Sequence, residues 1–564
     1  MVTQPPTAQP SDSVEDVDPN GSYEDVLYDV CVIGSGAGGA LAAFRIGAAG
    51  KSVLLIDSGN WIPPQNLSTR HDLALAGLYK TGGVQPALPK IGAIFGNRAA
   101  GVNFLQAEVI GGGPYVNNAI QLPIDQAQFE RAWKPRGFPF TWDELTSAMA
   151  QVARELKFPA LSLDPSLTGD PRASVLPGAR SSTLLAAAQK LWPGAAPNPV
   201  SLWDCVGCGG CNIGCRYNAK TGGPHGPRAA GSPQSYLMRA LRETNGNVKL
   251  RGQLQALQFH VGEEGLADRL SVRDLATGQL GSVQAKCYVL AAGPIASSRI
   301  LQETDIPQKP KGPSFGERVA ANVTTPLLAI MPADFDSTPP NPGVQMCFYV
   351  EPETGLLLEG WFDYPAGVSA GTSGLPRDVA AAVGKYPGLN VLGVVVPIDD
   401  LATVHPPPVQ IASEITDEDF GRLLRAMAYA ACALYQSGAL SVTPAHRLNT
   451  NMVGSMTIDP DDARNGRVDK IADDLLQRLE GPQNLALQTP HPQGGNAIAS
   501  SPSQGVVAGN FKVFGTANVF AADSSLFPAG CGRNPQLTTL ALAHLAASSI
   551  LDCFQNNELG KLAC

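Results

Sequence analysis

A chain of 564 residues is too long for one compact core, so two or more domains are expected. With 44% hydrophobic and 16% charged residues it suits a globular protein with a large interior, and a formal charge of −9 gives no electrostatic reason to expect nucleic acid or an anionic membrane as a partner. No apolar run reaches spanning length and no basic stretch followed by an apolar core opens the chain, so the expectation is no membrane span and no secretory signal. Cytoplasm is then the default location, with co-export on a partner subunit as the alternative.

Residues 1–27 are rich in Pro, Ser, Asp and Gln and read as a disordered acidic tail. Tyr28 to Ile33 is a short apolar run ending in glycines, the pattern of a buried parallel strand. Ala40 to Ala49 follows as a helix, and Lys51 to Ile56 as a second strand with Asp57 at its end. Phe140 to Leu156 reads as a helix with Thr141 at its N-cap and Glu144 three positions later. Val248 to Phe259 and Leu270 to Leu275 read as strands, and Lys286 to Gly293 as a buried strand running into a helix through Leu301. From Pro307 to Glu480 short apolar runs such as Val391 to Val396 predict a second sheet, with helices over Asp417 to Leu434 and Asp469 to Leu479. The last part returns to glycine loops, with one strand (Val519 to Ala522) and one strong helix (Pro535 to Leu551).

The first chemistry-bearing motif is Gly34-x-Gly36-x-x-Gly39. Its first two glycines let the chain turn tightly and approach a pyrophosphate, and the third lets helix pack closely on strand. The helix N-terminus then aims free N–H groups and its positive dipole end at the phosphates. Asp57 lies 23 residues after Gly34, where an acid accepts hydrogen bonds from ribose hydroxyls. With strand before, helix after and acid at the next strand's end, the functional reading outweighs a purely structural turn. The motif alone says only "dinucleotide".

Five blocks in order give the chain its resemblance to the glucose–methanol–choline (GMC) oxidoreductase family. They are Gly34 to Gly39 with Asp57, Val109 to Gly113 with Asn117 and Asn118, Val289 to Ser297 including Ala292, His491 to Gly495, and Phe520 to Pro528 running on to Gly532–Thr538. The resemblance implies an α/β fold in which a discontinuous, Rossmann-like FAD-binding domain (28–125, 205–306 and 484–556) is joined to an α+β substrate domain with an antiparallel sheet (126–204 and 307–483). It leaves 557–564 as a tail. It also implies FAD as cofactor. Gly111, Gly112, Asn117 and Asn118 would line the pyrophosphate and flavin, and Asp523 the ribityl-pyrophosphate region. Asn534, Pro535 and Gln536 would approach the flavin pyrimidine edge. Read as chemistry, Pro535 fits the first position of a helix and Asn534 its N-cap, so that the positive end of the helix would face the charge of a reduced flavin.

Oxidation of an alcohol by hydride transfer needs the hydroxyl proton removed, and a histidine is the natural base. Of seven histidines, His491 stands in the family's histidine–proline block, and Asn534 matches the family's second catalytic position. The resemblance therefore implies His491 as base and Asn534 as the residue orienting the alcohol oxygen. One departure is visible. The family block continues after its glycines with Thr or Cys, Arg, Met and Gly, whereas this chain reads Asn496-Ala497-Ile498-Ala499, which puts the local loop in question.

Cys205, Cys208, Cys211 and Cys215 place four soft ligands among glycines, at the spacing of a bacterial ferredoxin run except that Arg216 stands where proline is usual. The first reading is a [4Fe–4S] or [3Fe–4S] cluster, as in some sugar dehydrogenases of the family. The second is a glycine-and-cysteine loop without metal, and the third structural zinc. The overall expectation is FAD-dependent oxidation of a small-molecule alcohol to an aldehyde or ketone, the substrate a non-sugar hydrophobic alcohol or sterol. Electrons would go to a redox partner protein or to oxygen. A sugar dehydrogenase of the same family and an electron-transfer flavoprotein without alcohol chemistry are the alternatives.

Overall fold

A computed structural model of the chain describes residues 23, 26–68, 70–89, 101–156, 179–193, 195, 201, 210–215, 234–336, 348–351, 356–361, 384–406, 411–446 and 456–559. In chain order its strands are β1 (Leu27–Ile33), β2 (Val53–Ile56), β3 (Leu88–Pro89), β4 (Asn103–Phe104), β5 (Val248–Arg251), β6 (Leu254–Val261), β7 (Ala267–Asp274) and β8 (Leu280–Leu290). There follow β9 (Val319–Ile330), β10 (Phe348–Glu351), β11 (Leu356–Trp361), β12 (Leu389–Val404), β13 (Ile411–Ser413), β14 (Ser441–Pro444), β15 (Gln488–Thr489), β16 (Pro492–Gly494) and β17 (Val519–Ala521). The helices that matter here are α1 (Ala37–Ala48), α2 (His71–Leu78), α3 (Gly112–Val116), α4 (Trp142–Leu156), α5 (Ala179–Leu191), α6 (Gln234–Arg242), α7 (Pro294–Gln302), α8 (Asp417–Gln436) and α9 (Gln536–Gln555).

The first sheet runs β5-β2-β1-β8-β7-β6, with β17 added alongside β8. Its centre is parallel: β1 pairs with β2 and β8, β2 with β5, and β17 with β8. Val30, Cys31, Val32 and the whole of Val53–Ile56 are fully buried, which is why these strands read as unbroken apolar runs rather than alternations. Helices α1, α6 and α9 and one face of α4 bury their apolar residues into the same core. The second sheet is built on two long antiparallel strands, β9 and β12, paired from Ile330↔Leu389 to Val319↔Ala402. Helix α8 covers one of its faces with Leu423, Met427, Ala431 and Leu434, and Leu184 and Ala188 of α5 join that core.

This α/β architecture is the fold class the sequence implied. Four strands of the second sheet, β3, β4, β15 and β16, come from stretches the sequence assigns to the cofactor domain, so that domain contributes directly to the sheet that faces it. The single strand expected over Val248 to Phe259 is two strands. Gln253 takes a left-handed conformation (φ 52°), and the chain leaves the parallel edge at Arg251 to pair antiparallel with β7 from Leu254. The expectation that no stretch is long and apolar enough to span a bilayer is also corrected. α9 meets both conditions by length and composition, but most of it is buried, packed on α1 and α4 as a core helix. The expected tail over 1–27 lies almost wholly outside the described residues.

The predicted N-terminus of α4 is present in detail. Thr141 Oγ1 accepts from the Glu144 N–H (3.3 Å), and Glu144 Oε2 accepts from the Thr141 N–H (2.7 Å). Replacing Thr141 by Ala leaves a helix-end donor without its partner. It is expected to lower stability by about 1 kcal/mol, read as a shift of the chemical-denaturation midpoint.

Candidate active site

A cavity of about 1030 Å³ runs between the two sheets, at the upper end of the size usual for ligand sites. Gly34, Gly36, Asp57, Gly112, Asn117, Asn118, Ala292, Asp523, Asn534, Pro535, Gln536 and His491 all line it. Two of the residues singled out for the cofactor do not. Gly39 holds α1 against β1, where a Cβ would lie 1.9 Å from the Gly34 carbonyl oxygen. Gly111 donates its N–H to Ser35 Oγ (2.8 Å).

Ser35 is the joint of the glycine turn. Its N–H and hydroxyl both donate to Asp57 Oδ2 (2.8 and 2.6 Å), while the Gly59 N–H donates to Asp57 Oδ1 (2.7 Å). One serine therefore ties the glycine turn, the acid after β2 and the start of α3 together. Asp523 does the same on the other side. It accepts from the Gly293 N–H (2.8 Å), the Ser297 hydroxyl (2.6 Å) and the Ser525 N–H (2.8 Å), which fixes the first turn of α7 beside the end of β17. Burial pushes both carboxyls above their usual range, and these hydrogen bonds pull against it.

At the far end of the cavity, Asn117 Nδ2 donates to Gln536 Oε1 (2.5 Å) and so joins α3 to the start of α9. Asn534 does not cap α9, contrary to the sequence reading. The helix begins at Gln536, and no side chain caps it. The Asn534 amide turns into the cavity instead, with Nδ2 at 3.2 Å from His491 Nε2 and 3.4 Å from Glu359 Oε1. His491 lies between β15 and β16, both paired to β9, and its N–H donates to Thr489 Oγ1 (3.1 Å). Its Nδ1 faces Asn322 Nδ2 at 3.4 Å, and Asn322 Nδ2 also donates to the Arg533 carbonyl (2.6 Å). Burial lowers the His491 pKa to about 4, so the ring stays neutral at ordinary pH. The departure after Gly495 does not loosen this loop: Gly495, Asn496 and Ile498 donate their N–H groups to Arg318, Ser525 and Leu526 carbonyls at 2.8–3.0 Å.

Three residues of this site carry no local signal in the sequence. Ser35 sits inside the glycine motif but is not one of its glycines, Asn322 lies in the middle of a strand, and Glu359 is a buried carboxylate on β11. Only an acid in an otherwise apolar strand, as in Leu356–Trp361, hinted at the last.

Of the cysteine run, Cys205 and Cys208 lie outside the described residues. Cys211 is buried and Cys215 half-buried, at the two ends of a short turn that packs Ile213 on Leu67, Tyr115 and Val116. Asn212, between them, lines the cavity and accepts from the Tyr79 hydroxyl through its carbonyl (2.7 Å). Among the described residues no group of three or more His, Cys, Asp or Glu side chains is placed to hold a metal ion.

The cavity fits a flavin dinucleotide on its own evidence. Asn118 Oδ1, Asn534 Oδ1 and Gln536 Nε2 are buried polar atoms with no partner, all on its wall. Space is open where a Cβ would stand at Gly36, Gly113 and Gly293. The profile of the GMC oxidoreductase family matches residues 46–325 with its N-terminal part and 397–543 with its C-terminal part. A GMC-type oxidoreductase of Mycobacterium tuberculosis is 24% identical over 525 residues, covering 91% of this chain and 74% of its own length. A long-chain-alcohol oxidase of Arabidopsis thaliana is 20% identical over 562 residues, covering 94% of this chain and 70% of its own. Among solved structures, formate oxidase of Aspergillus oryzae shares the fold with a TM-score of 0.63 at 15% identity, over 94% of this chain and 99% of that one.

Replacing Ser35 by Ala removes the acceptor of the Gly111 N–H and the hydroxyl donor to Asp57 at once. A cost of about 1–3 kcal/mol is expected, seen as a lower unfolding temperature together with weaker retention of FAD.

Proposed function

The chain belongs to the GMC oxidoreductase family, and from that premise we propose that it oxidises a hydrophobic alcohol, long-chain or sterol, to the aldehyde or ketone. The observation that carries this reading is the pairing of His491 with Asn534 at one end of a cavity whose adjoining wall is apolar, with Leu105, Ile120, Pro326, Leu328 and Val391 among its residues. The Arabidopsis relative, named for long-chain alcohols, supports the same substrate class.

FAD, when bound, supplies the hydride acceptor. The chain's own residues handle the proton. A substrate hydroxyl placed between His491 Nε2 and Asn534 Nδ2 would receive a hydrogen bond from the amide and give its proton to the neutral imidazole. Asn322, bonded to the Arg533 carbonyl, holds both halves of the pair in register. Glu359, within 3.4 Å of the Asn534 amide, accepts from that amide and orients it. The apolar wall excludes water and leaves few partners for the several hydroxyls of a sugar.

Anaerobic bleaching of the flavin by a panel of alcohols tests the reading. Long aliphatic alcohols or sterols should bleach it, and sugars should not; holoenzyme that no alcohol reduces would sink the proposal. His491→Ala should lower kcat/KM for flavin reduction by about 10²–10⁴. A base with a lowered pKa is lost only as pH falls through that value. The acid limb of kcat/KM should therefore lie near pH 4 rather than near 6.5, and it should vanish from the residual activity of the variant.

A second reading concerns where the electrons go. Oxygen is the acceptor favoured by the oxidases among the relatives. A four-cysteine iron–sulfur centre at Cys205, Cys208, Cys211 and Cys215 is supported by Asn212, inside the run, lining the cavity. Anaerobically purified protein should then contain iron and acid-labile sulfide. Protein without iron, consuming oxygen with each alcohol oxidised, would leave oxygen as the acceptor.

A further inference from the structure

One stretch of the cavity wall carries charges that alcohol oxidation leaves unused. α7 and its C-cap show the cavity Ala296, Arg299, Ile300 and Glu303, at the i, i+3, i+4, i+7 spacing of one helix face. Across from it stand Lys80, just past the end of α2, and Glu108. The Lys80 and Arg299 side chains form no hydrogen bond or ion pair among the described residues. Both are half-buried, and burial, with Arg299 adding to it, holds the Lys80 ammonium below its usual pKa while Glu108 pulls the other way. Glu108 lies near Lys80, and the exposed Glu303 one turn beyond Arg299, yet among the described residues neither carboxylate is ion-paired with either cation, so both positive charges stand unpaired on a partly desolvated wall. Such an arrangement is costly unless an anion completes it.

Neighbouring contacts say which part of the cavity this is. The Glu108 N–H donates to the Leu78 carbonyl, and two residues on the Ile110 N–H donates to the Asn60 carbonyl. Gly59 lies against Val109, where a Cβ would be 2.5 Å from the Val109 Cα. The cluster therefore adjoins the turn after Asp57, where a ribose is expected. Arg299 stands on the helix whose first turn is pinned to Asp523, beside the glycine turn. We propose that Lys80 and Arg299 form a cationic clamp on the phosphate-bearing adenylate half of FAD, with Glu108 near Lys80 offsetting part of their mutual repulsion. The glycine turn offers that anion only backbone N–H groups and a helix dipole. The clamp adds full charges, and with them a salt-dependent hold on the cofactor.

The clamp rests on FAD being the cofactor, and the experiment separates the two claims. Flavin release from the purified holoenzyme, and FAD rebinding to the stripped full-length chain, are followed by flavin fluorescence at increasing NaCl. In wild type the FAD Kd should rise with salt. In Arg299→Gln it should be raised about tenfold at low salt, and the salt slope should flatten. Arg299→Lys, which keeps the charge, should recover most of the loss, Lys80→Met should act in the same direction, and ADP should compete less well against FAD in both charge-removing variants. An unchanged FAD Kd and salt slope in Arg299→Gln would overturn the clamp. So would a raised alcohol KM with unchanged FAD affinity, which would place the cations at the substrate rather than the cofactor. Wild-type protein unable to bind FAD would defeat the cofactor reading itself.

Discussion

The site depends on how closely four backbone segments approach one another at the start of α1. A Cβ on Gly38 would lie 1.8 Å from the Ala522 carbonyl oxygen, one on Gly34 2.3 Å from that of Ala291, and one on Gly112 2.7 Å from the Gly36 Cα. These are distances no side chain accepts, so the meeting of β1, β8, β17 and α3 is possible only because glycine stands at each contact. Gly34 and Gly112 also take left-handed conformations (φ 102° and 55°), which glycine adopts without strain. From this contact follows the discontinuous cofactor domain, in which residues near positions 35, 111, 292 and 523 share one wall.

Two acids then hold the segments in place. Asp57 and Asp523 each collect three hydrogen bonds from donors in separate loops, and each lies at the edge of the cavity rather than in open solvent. Both are raised in pKa by burial, yet both are bonded as acceptors, the arrangement expected of carboxylates that serve as struts. These hydrogen bonds fix the backbone geometry that a dinucleotide needs.

The second sheet enters the cavity through β9. One side of that strand pairs with β12, which carries Val391 and leads through β11 to Glu359; the other pairs with β15 and β16, which bracket His491. Asn322, at the centre of the strand, links its neighbours to the Arg533 carbonyl on the loop before α9. The histidine, the asparagine and the carboxylate thus come from three stretches of chain held by one strand, so their spacing is set by the register of the sheet.

What the sequence determined by itself is what short-range physics determines. The glycine turn with its acid, the capping box of α4, the start of α8 and the buried parallel strands all follow from residues a few positions apart, and each stands where it was read. The family blocks extended this to FAD and brought His491 and Asn534 forward as candidates. The placement of the Asn534 amide was decided only by the tertiary structure, because a residue before a helix looks like a cap until a partner across the cavity draws its amide away. Ser35, Asn322, Glu359, Lys80 and Arg299 were decided there too. Their significance lies in which distant segment they face, and no local pattern of residues encodes that pairing. The break at Gln253 and the burial of α9 have the same origin, since strand partners and core neighbours override propensity and apolarity read along the chain.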